Sequence, residues 1–227
     1  MKIILQTLIL ITLFSCGKTQ VSEVEVKAVD QVLMFYGGKV ERFIGVNSEN
    51  GNKIDFFELK IKESNLLNSD INWLDEHAGN IAYLFYSNLN NEKTNYDEIR
   101  VTIEVGKNES HKYKFTGKEL KEVETFYTEI QKTNNYIKNA DYSSLVNQFN
   151  KKIEVNENEI NKLFTKIKSE YGEIKNIQIQ GFSFDRDEEF GNYVRFKVGV
   201  IQEKISATMV LSYSRGETKE LVGLYFP

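Results

Sequence analysis

The last quarter of the chain sets four alternating runs in a row: Ile177 and Ile179 then Phe182 and Phe184; Val194, Phe196, Val198 and Val200; Ala207, Met209, Leu211 and Tyr213; and Leu221 to Phe226. No helix-period stretch separates them, so neighbouring strands join through short turns, and short turns make antiparallel pairs. In the first run the apolar parity shifts at Gly181, which predicts a β-bulge that bends the strand. Three helix patterns precede this sheet. Thr116 and Glu119 form a capping box ahead of the stripe Leu120, Val123, Phe126, Ile130 and Ile137. Tyr142, Leu145, Val146 and Phe149 make a second helix from about Asp141, and Asn156 with Glu159 caps a third through Ile160, Leu163, Phe164, Ile167 and Tyr171, which Gly172 stops.

The first half switches period twice. Val29, Val32, Leu33 and Tyr36 have helical spacing, stopped by Gly37-Gly38. Val40, Arg42, Ile44 and Val46 alternate up to Asn50-Gly51, and Ile54, Phe56 and Glu58 alternate after it, a strong hairpin signal. A helix is predicted across Asp70 to Leu89, with Trp73 and Leu84 widening its apolar stripe. A second hairpin follows, with Ile99, Val101, Ile103 and Val105 on one side of the turn and His111, Tyr113 and Phe115 on the other. The fold class is therefore α+β, with two small antiparallel-sheet domains at 28–116 and 117–227. The one proline is Pro227, so no proline-rich linker marks a boundary.

The N-terminus reads Met1-Lys2, an apolar run from Ile3 to Phe14, and Ser15-Cys16, the order of a secretory signal. A dozen apolar residues fall short of the roughly 20 that a spanning helix needs. Leu13-Phe14-Ser15-Cys16 resembles the lipobox of bacterial lipoproteins, with Phe14 in place of the usual small residue, as in Bacteroidota lipoproteins. The resemblance implies that Cys16 is the lipidation site, that residues 1–16 are signal peptide and lipobox, and that 17–27 is a polar tether. Gly17 is not the Asp of inner-membrane retention and no acidic cluster follows, which implies the periplasmic face of the outer membrane. Multiple acyl chains would anchor the protein stably. Cys16 is the only cysteine, so no disulfide forms within the chain. The 29 basic and 33 acidic side chains are interspersed, with no basic stripe for nucleic acid.

Helices followed by a bent four-stranded sheet resemble the cystatin-like cones of the nuclear-transport-factor-two-like superfamily. The likeness covers about residues 119–227. Lys138-Asn139-Ala140-Asp141-Tyr142 looks like the start of the second helix in such cones, and Asn156 to Gly172 running into Glu173-Ile174-Lys175-Asn176-Ile177 looks like the third helix and first strand. The resemblance implies a cone pocket, in which enzymes of this fold carry an Asp, His or Tyr. Here both histidines fall outside 119–227, and the strand positions expected to face inward, Val194, Phe196, Val198 and Val200, are apolar.

No constellation carries chemistry. Asp185, Asp187 and Glu189 have the alternate spacing of a calcium loop, but Gly191 comes one place late and Arg186 sets a cation among the ligands, so a solvated hairpin tip is expected. His77 and His111 are too few for a zinc site. His77 is expected at the edge of the helix stripe, with Glu76 or Asp75 as the only conceivable acid–base partner. Neither a Gly-x-Ser-x-Gly elbow nor a phosphate-binding glycine loop is present. The expectation is a non-enzymatic, lipid-anchored envelope protein without metal or cofactor, whose partners are the membrane, through its lipid, and an envelope protein or small apolar ligand. The alternative is a small-molecule carrier or sensor using the cone pocket and the rings of Phe182, Phe184, Phe196, Tyr213, Tyr225 and Phe226. A cone-fold enzyme is third.

Overall fold

The computed structural model describes residues 21–106 and 109–227. The leader, the lipobox and Cys16 lie outside the described residues.

Helix α1 (Glu23–Tyr36) begins inside the stretch read as tether. Its cap is a reciprocal box: the Glu25 amide donates to Ser22 Oγ at 3.1 Å, and the Ser22 amide donates to Glu25 Oε2 at 2.7 Å. Ala28, Val29, Val32 and Tyr36 form its buried face. The following strands β1 (Lys39–Glu49) and β2 (Asn52–Lys62) are a hairpin turning at Asn50 and Gly51, both with positive φ, 52° and 82°, as a two-residue turn matching strand twist requires.

The chain then crosses over through α2 (Asn65–Ser69), a 3-10 turn (Ile71–Trp73), α3 (Leu74–Asn88) and a second 3-10 stretch (Asn90–Asn95) before β3 (Glu98–Val105) and β4 (Glu109–Thr116). The expectation of an antiparallel first sheet is corrected here. The order is β1-β2-β3-β4, and β2 pairs parallel to β3, from Phe56 opposite Glu98 to Ile61 opposite Ile103. A crossover long enough to hold helices returns the chain to its starting end, so the next strand runs in the same direction.

The second unit holds α4 (Gly117–Asn139), α5 (Tyr142–Val146) and α6 (Glu157–Tyr171), then β5 (Ile174–Asp187), β6 (Gly191–Gln202), β7 (Ser206–Ser214) and β8 (Leu221–Tyr225). This sheet is antiparallel throughout, and β5 shifts register between Ile179 and Gly181, where parity changes in the sequence. Phe196 packs against Phe126 and Tyr213, with ring centroids 5.7 and 6.2 Å away. Buried Tyr213 shares its hydroxyl with Thr133 Oγ1 at 2.6 Å. The molecule is thus α+β with two four-stranded sheet units.

α3 joins the units. Ala78, Ile81, Ala82 and Phe85 are fully buried, and the helix lies against β5, an edge strand. The backbones nearly touch: a Cβ on Gly79 would sit 2.1 Å from the Phe182 carbonyl oxygen, and one on Gly181 2.3 Å from that of Glu76. Covering an edge strand with a helix also blocks pairing with other chains. Among the described residues no helix is long and apolar enough to cross a membrane.

Candidate functional site

Strand alternation decides what β6 offers to each side. Val194, Phe196, Val198 and Val200 point into the second unit's core, so Arg195 and Lys197 point the other way. There they meet two carboxylates of the first unit. Arg195 Nε donates to Glu76 Oε1 at 2.7 Å, and Glu76 is only 1% exposed. Lys197, 4% exposed, donates to Asp70 Oδ2. Asp70 Oδ2 also lies 2.8 Å from His77 Nε2, and His77 Nδ1 lies 3.3 Å from the Tyr36 hydroxyl, which accepts from Asn80 Nδ2 at 2.9 Å. With Tyr36 donating to Nδ1, the proton of a neutral imidazole sits on Nε2 and goes to Asp70.

The electrostatics agree with that assignment. Burial holds the His77 imidazole below its usual range, against the opposing pull of Asp70. Burial pushes the Asp70 carboxyl up, but the Lys197 and His77 hydrogen bonds together outweigh it and leave it below the ordinary value. Both imidazole nitrogens have protein partners, Asp70 and Tyr36, so the chain of groups has a positioning role. What it positions is the turn that follows Asp70. Trp73 ends that turn, and Lys197 Nζ lies 5.1 Å from the centroid of its ring.

Trp73 is one wall of a cleft of about 470 Å³, completed by Ile167, Tyr171, Gln202, Ile205, Ala207, Thr208, Phe226 and Pro227. Its floor follows from a mismatch in strand length. β7 pairs with β6 from Ser206 to Ser214, but β8 reaches only Val210. Beyond Tyr225, Phe226 packs edge-on against Phe164 at 6.1 Å, and Phe226 and Pro227 line the cleft beside Ala207 and Thr208. Ser206 to Met209 therefore have no strand beside them on the side away from β6. Gln202 lies at the back, 5% exposed; its Nε2 donates to the Gly172 carbonyl at 3.3 Å, and its Oε1 has no partner. Turning the amide over would set two acceptors face to face, so the oxygen is the orphan. No side chain of the lining is a carboxylate, imidazole, amine or guanidinium.

A second concavity of about 390 Å³ lies between α1, α3, α4 and β5, where Tyr83 and Tyr127 stack at 5.2 Å beside half-exposed Phe35. Asn80 lines it and also belongs to the buried chain of hydrogen bonds.

The structure separates the residues singled out in the sequence. His77 partners Asp70 and Tyr36, not Glu76 or Asp75, and is fully buried rather than at the edge of a stripe. His111 sits on β4, 2.9 Å from Glu109. Asp187 accepts from the Glu189 and Phe190 amides at 2.6 and 3.1 Å, an Asx turn at the β5–β6 tip. Of the six aromatics assigned to a cone pocket, Phe182, Phe196 and Tyr213 are filled core, and Phe226 alone lines the cleft. Sequence reading missed Trp73 as a wall, because it extends the helical stripe, and missed Lys197, Arg195 and Gln202. The signal for the two cations was a charged residue at alternate positions of an otherwise apolar strand.

No family model matches the chain, and no curated protein does. Among solved structures, Bd1075 of Bdellovibrio bacteriovorus is similar at 12% identity over 82% of this chain and 75% of that one, with a TM-score of 0.34, a likeness too slight to carry an argument.

Proposed function

We propose that this chain is a lipid-anchored, non-catalytic binding protein of the cell envelope, held by Cys16 at the periplasmic face of the outer membrane, and that the Trp73 cleft holds another envelope component. The observation that carries the reading is the cleft itself: aromatic walls, no charged or imidazole side chain in the lining, an unsatisfied buried acceptor, and one wall fixed by buried ion pairs between the units. Pockets at the junction of two units, mostly apolar with a few placed polar groups, are the common form of binding sites. The leader ending in Ser15-Cys16 supports the anchor. Three helices followed by an antiparallel sheet with a register break near Gly181 support a cystatin-like cone for residues 117–227.

The test is site-specific crosslinking in the native envelope, from a photoreactive residue replacing exposed Ile205 at the cleft rim. A defined adduct that disappears in Trp73→Ala supports the reading. Equal adducts from a photoreactive residue at Lys53, on the first unit, would overturn it. Cys16→Ala should move the protein to the soluble fraction, and persistence in the membrane would refute the anchor.

The alternative, a carrier of a small apolar molecule, draws on the same cleft. It would be favoured by a bound lipid-like molecule that survives purification of the Cys16→Ala protein.

A further inference from the structure

We propose that β1 is a dimerisation edge: β1 of one molecule pairs antiparallel with β1 of a second copy, joining the two first-unit sheets into one. The inference uses the first unit alone and is independent of the Trp73 cleft. Among the described residues β1, β4, β5 and β8 stand at sheet edges. α3 lies against β5, α3 and α4 pack against β4, and β8 is only five residues long; covering an edge or keeping it short is how a fold prevents unwanted pairing. β1 has neither protection. It runs 11 residues, Lys39–Glu49, in unbroken register with β2, without bulge or proline, and among the described residues only β2 and α1 make more than slight contact with it. Phe43 and Val46 stand 47% and 53% exposed on it. The main chain shows which groups face outward. The Ser48 amide donates to Asn47 Oδ1 at 2.9 Å, so it does not point at β2, and alternation turns the N–H and C=O of Val40, Arg42, Ile44 and Val46 outward on the same side.

One register suits a second copy. With Ile44 on a two-fold axis normal to the sheet, every residue of β1 pairs: Lys39 faces Glu49 at both ends, Arg42 faces Val46, and Phe43 faces Gly45. Arg42, Ile44 and Val46 would then exchange about six main-chain hydrogen bonds across the axis. Phe43 of each copy would lie beside the bare Gly45 backbone of the other, next to the Phe56 ring, which a Cβ on Gly45 would meet at 2.4 Å. Sliding the pairing by two residues in one direction sets Glu41 against Glu49, and sliding it in the other removes both Lys39–Glu49 pairs. Lys39 and Glu49 already hold exposed partners, Glu63 at 2.7 Å and Lys114 at 2.9 Å, so their exchange selects register more than it adds affinity.

The experiment is cysteine crosslinking of the full-length protein in its native membrane, with the parent, whose only cysteine is Cys16, as control. On the axis, Ile44→Cys meets its own copy at about 5.5 Å between Cα atoms, within disulfide reach. Mild oxidation should give a band of two chains, absent from the parent and from Lys53→Cys on β2. The exposed positions Glu41→Cys and Asn47→Cys, on separately tagged chains, face each other in this register and should crosslink without any change to the core. Val46→Pro deletes an outward N–H and spares the β2 ladder, so it should abolish the Ile44→Cys band with the circular dichroism spectrum unchanged. Lys39→Glu or Glu49→Lys alone should weaken that band about fivefold, and co-expressing the two with separate tags should restore it, because opposite charges then face each other at both ends. Absence of a two-chain band from both cysteine designs overturns the proposal, as do equal bands from Lys53→Cys or a band indifferent to Val46→Pro and to the charge exchange. A disulfide to a different protein in place of the second copy assigns the edge to another strand and refutes the dimer.

Discussion

Lys197→Met is the sharpest test of the junction between the units. The methionine keeps most of the stem's volume, so the change removes a charge and its hydrogen bond rather than opening a large hole. It strands the Asp70 carboxylate opposite an apolar side chain, with His77 as its remaining partner. Breaking a fully buried pair costs about 3–5 kcal/mol. Asp70 is 29% exposed and keeps the His77 bond, so water recovers part of that cost, and about 2–3 kcal/mol is expected. For a chain of this size each kcal/mol moves the melting temperature by roughly 2–4 °C, a fall of about 4–12 °C. Urea unfolding of Lys197→Met, Asp70→Leu and the double variant, followed by far-ultraviolet circular dichroism, closes a double-mutant cycle. The double variant should recover much of the single variants' loss, since replacing both charges leaves no buried charge without a partner. A Lys197→Met protein as stable as the parent, or a double variant whose loss equals the sum of the singles, would refute the account of the junction.

The same network gives the protein an acid-sensitive window. His77 is held below its unfolded value of about 6.5, so the unfolded chain binds more protons just below that pH, and stability should fall as pH drops from about 6.5 and level off once His77 is protonated in both states. Asp70, also held below its usual value, adds a separate loss below about pH 4; a melting series from pH 8 to 3 that lacks the upper step in the parent, or retains it in His77→Gln, contradicts the assignment. Gly181→Ala forces a Cβ to within 2.3 Å of the Glu76 carbonyl and should cost about 1–3 kcal/mol in urea unfolding, whereas Gly51→Ala in the open hairpin turn meets no atom and should cost only the strain of its positive φ. Ser22→Ala removes one half of the α1 capping box and should cost about 1 kcal/mol, visible as faster amide exchange in the first turn of α1.

Features written in a few neighbouring residues were the legible ones. Thr116 with Glu119, Asn156 with Glu159, Asn50-Gly51 and the parity change at Gly181 each act over four residues or fewer, and each stands where its local chemistry places it. The start of α1 was hidden because Glu23-Val24-Glu25-Val26 reads as a polar stretch unless Ser22 and Glu25 are taken as a box. Strand direction was hidden for a different reason: period-two alternation is the same whether β2 and β3 run parallel or opposed. The site was less legible still. Asp70 and Lys197 lie 127 positions apart, and Gln202 becomes an orphan acceptor only once Gly172 has taken its amide N–H. Neither relation leaves a local pattern.

The capping of α1 at Ser22 also sets the length of a leash. If Cys16 carries the lipid, the chain between it and Ser22 can extend at most about 20 Å, so the first turn of α1 would stay close to the headgroups. The helix then carries the chain about 20 Å further to Tyr36, the end at which the His77–Asp70 turn and Trp73 are held. A protein moored in this way would work over a narrow shell of water next to the bilayer.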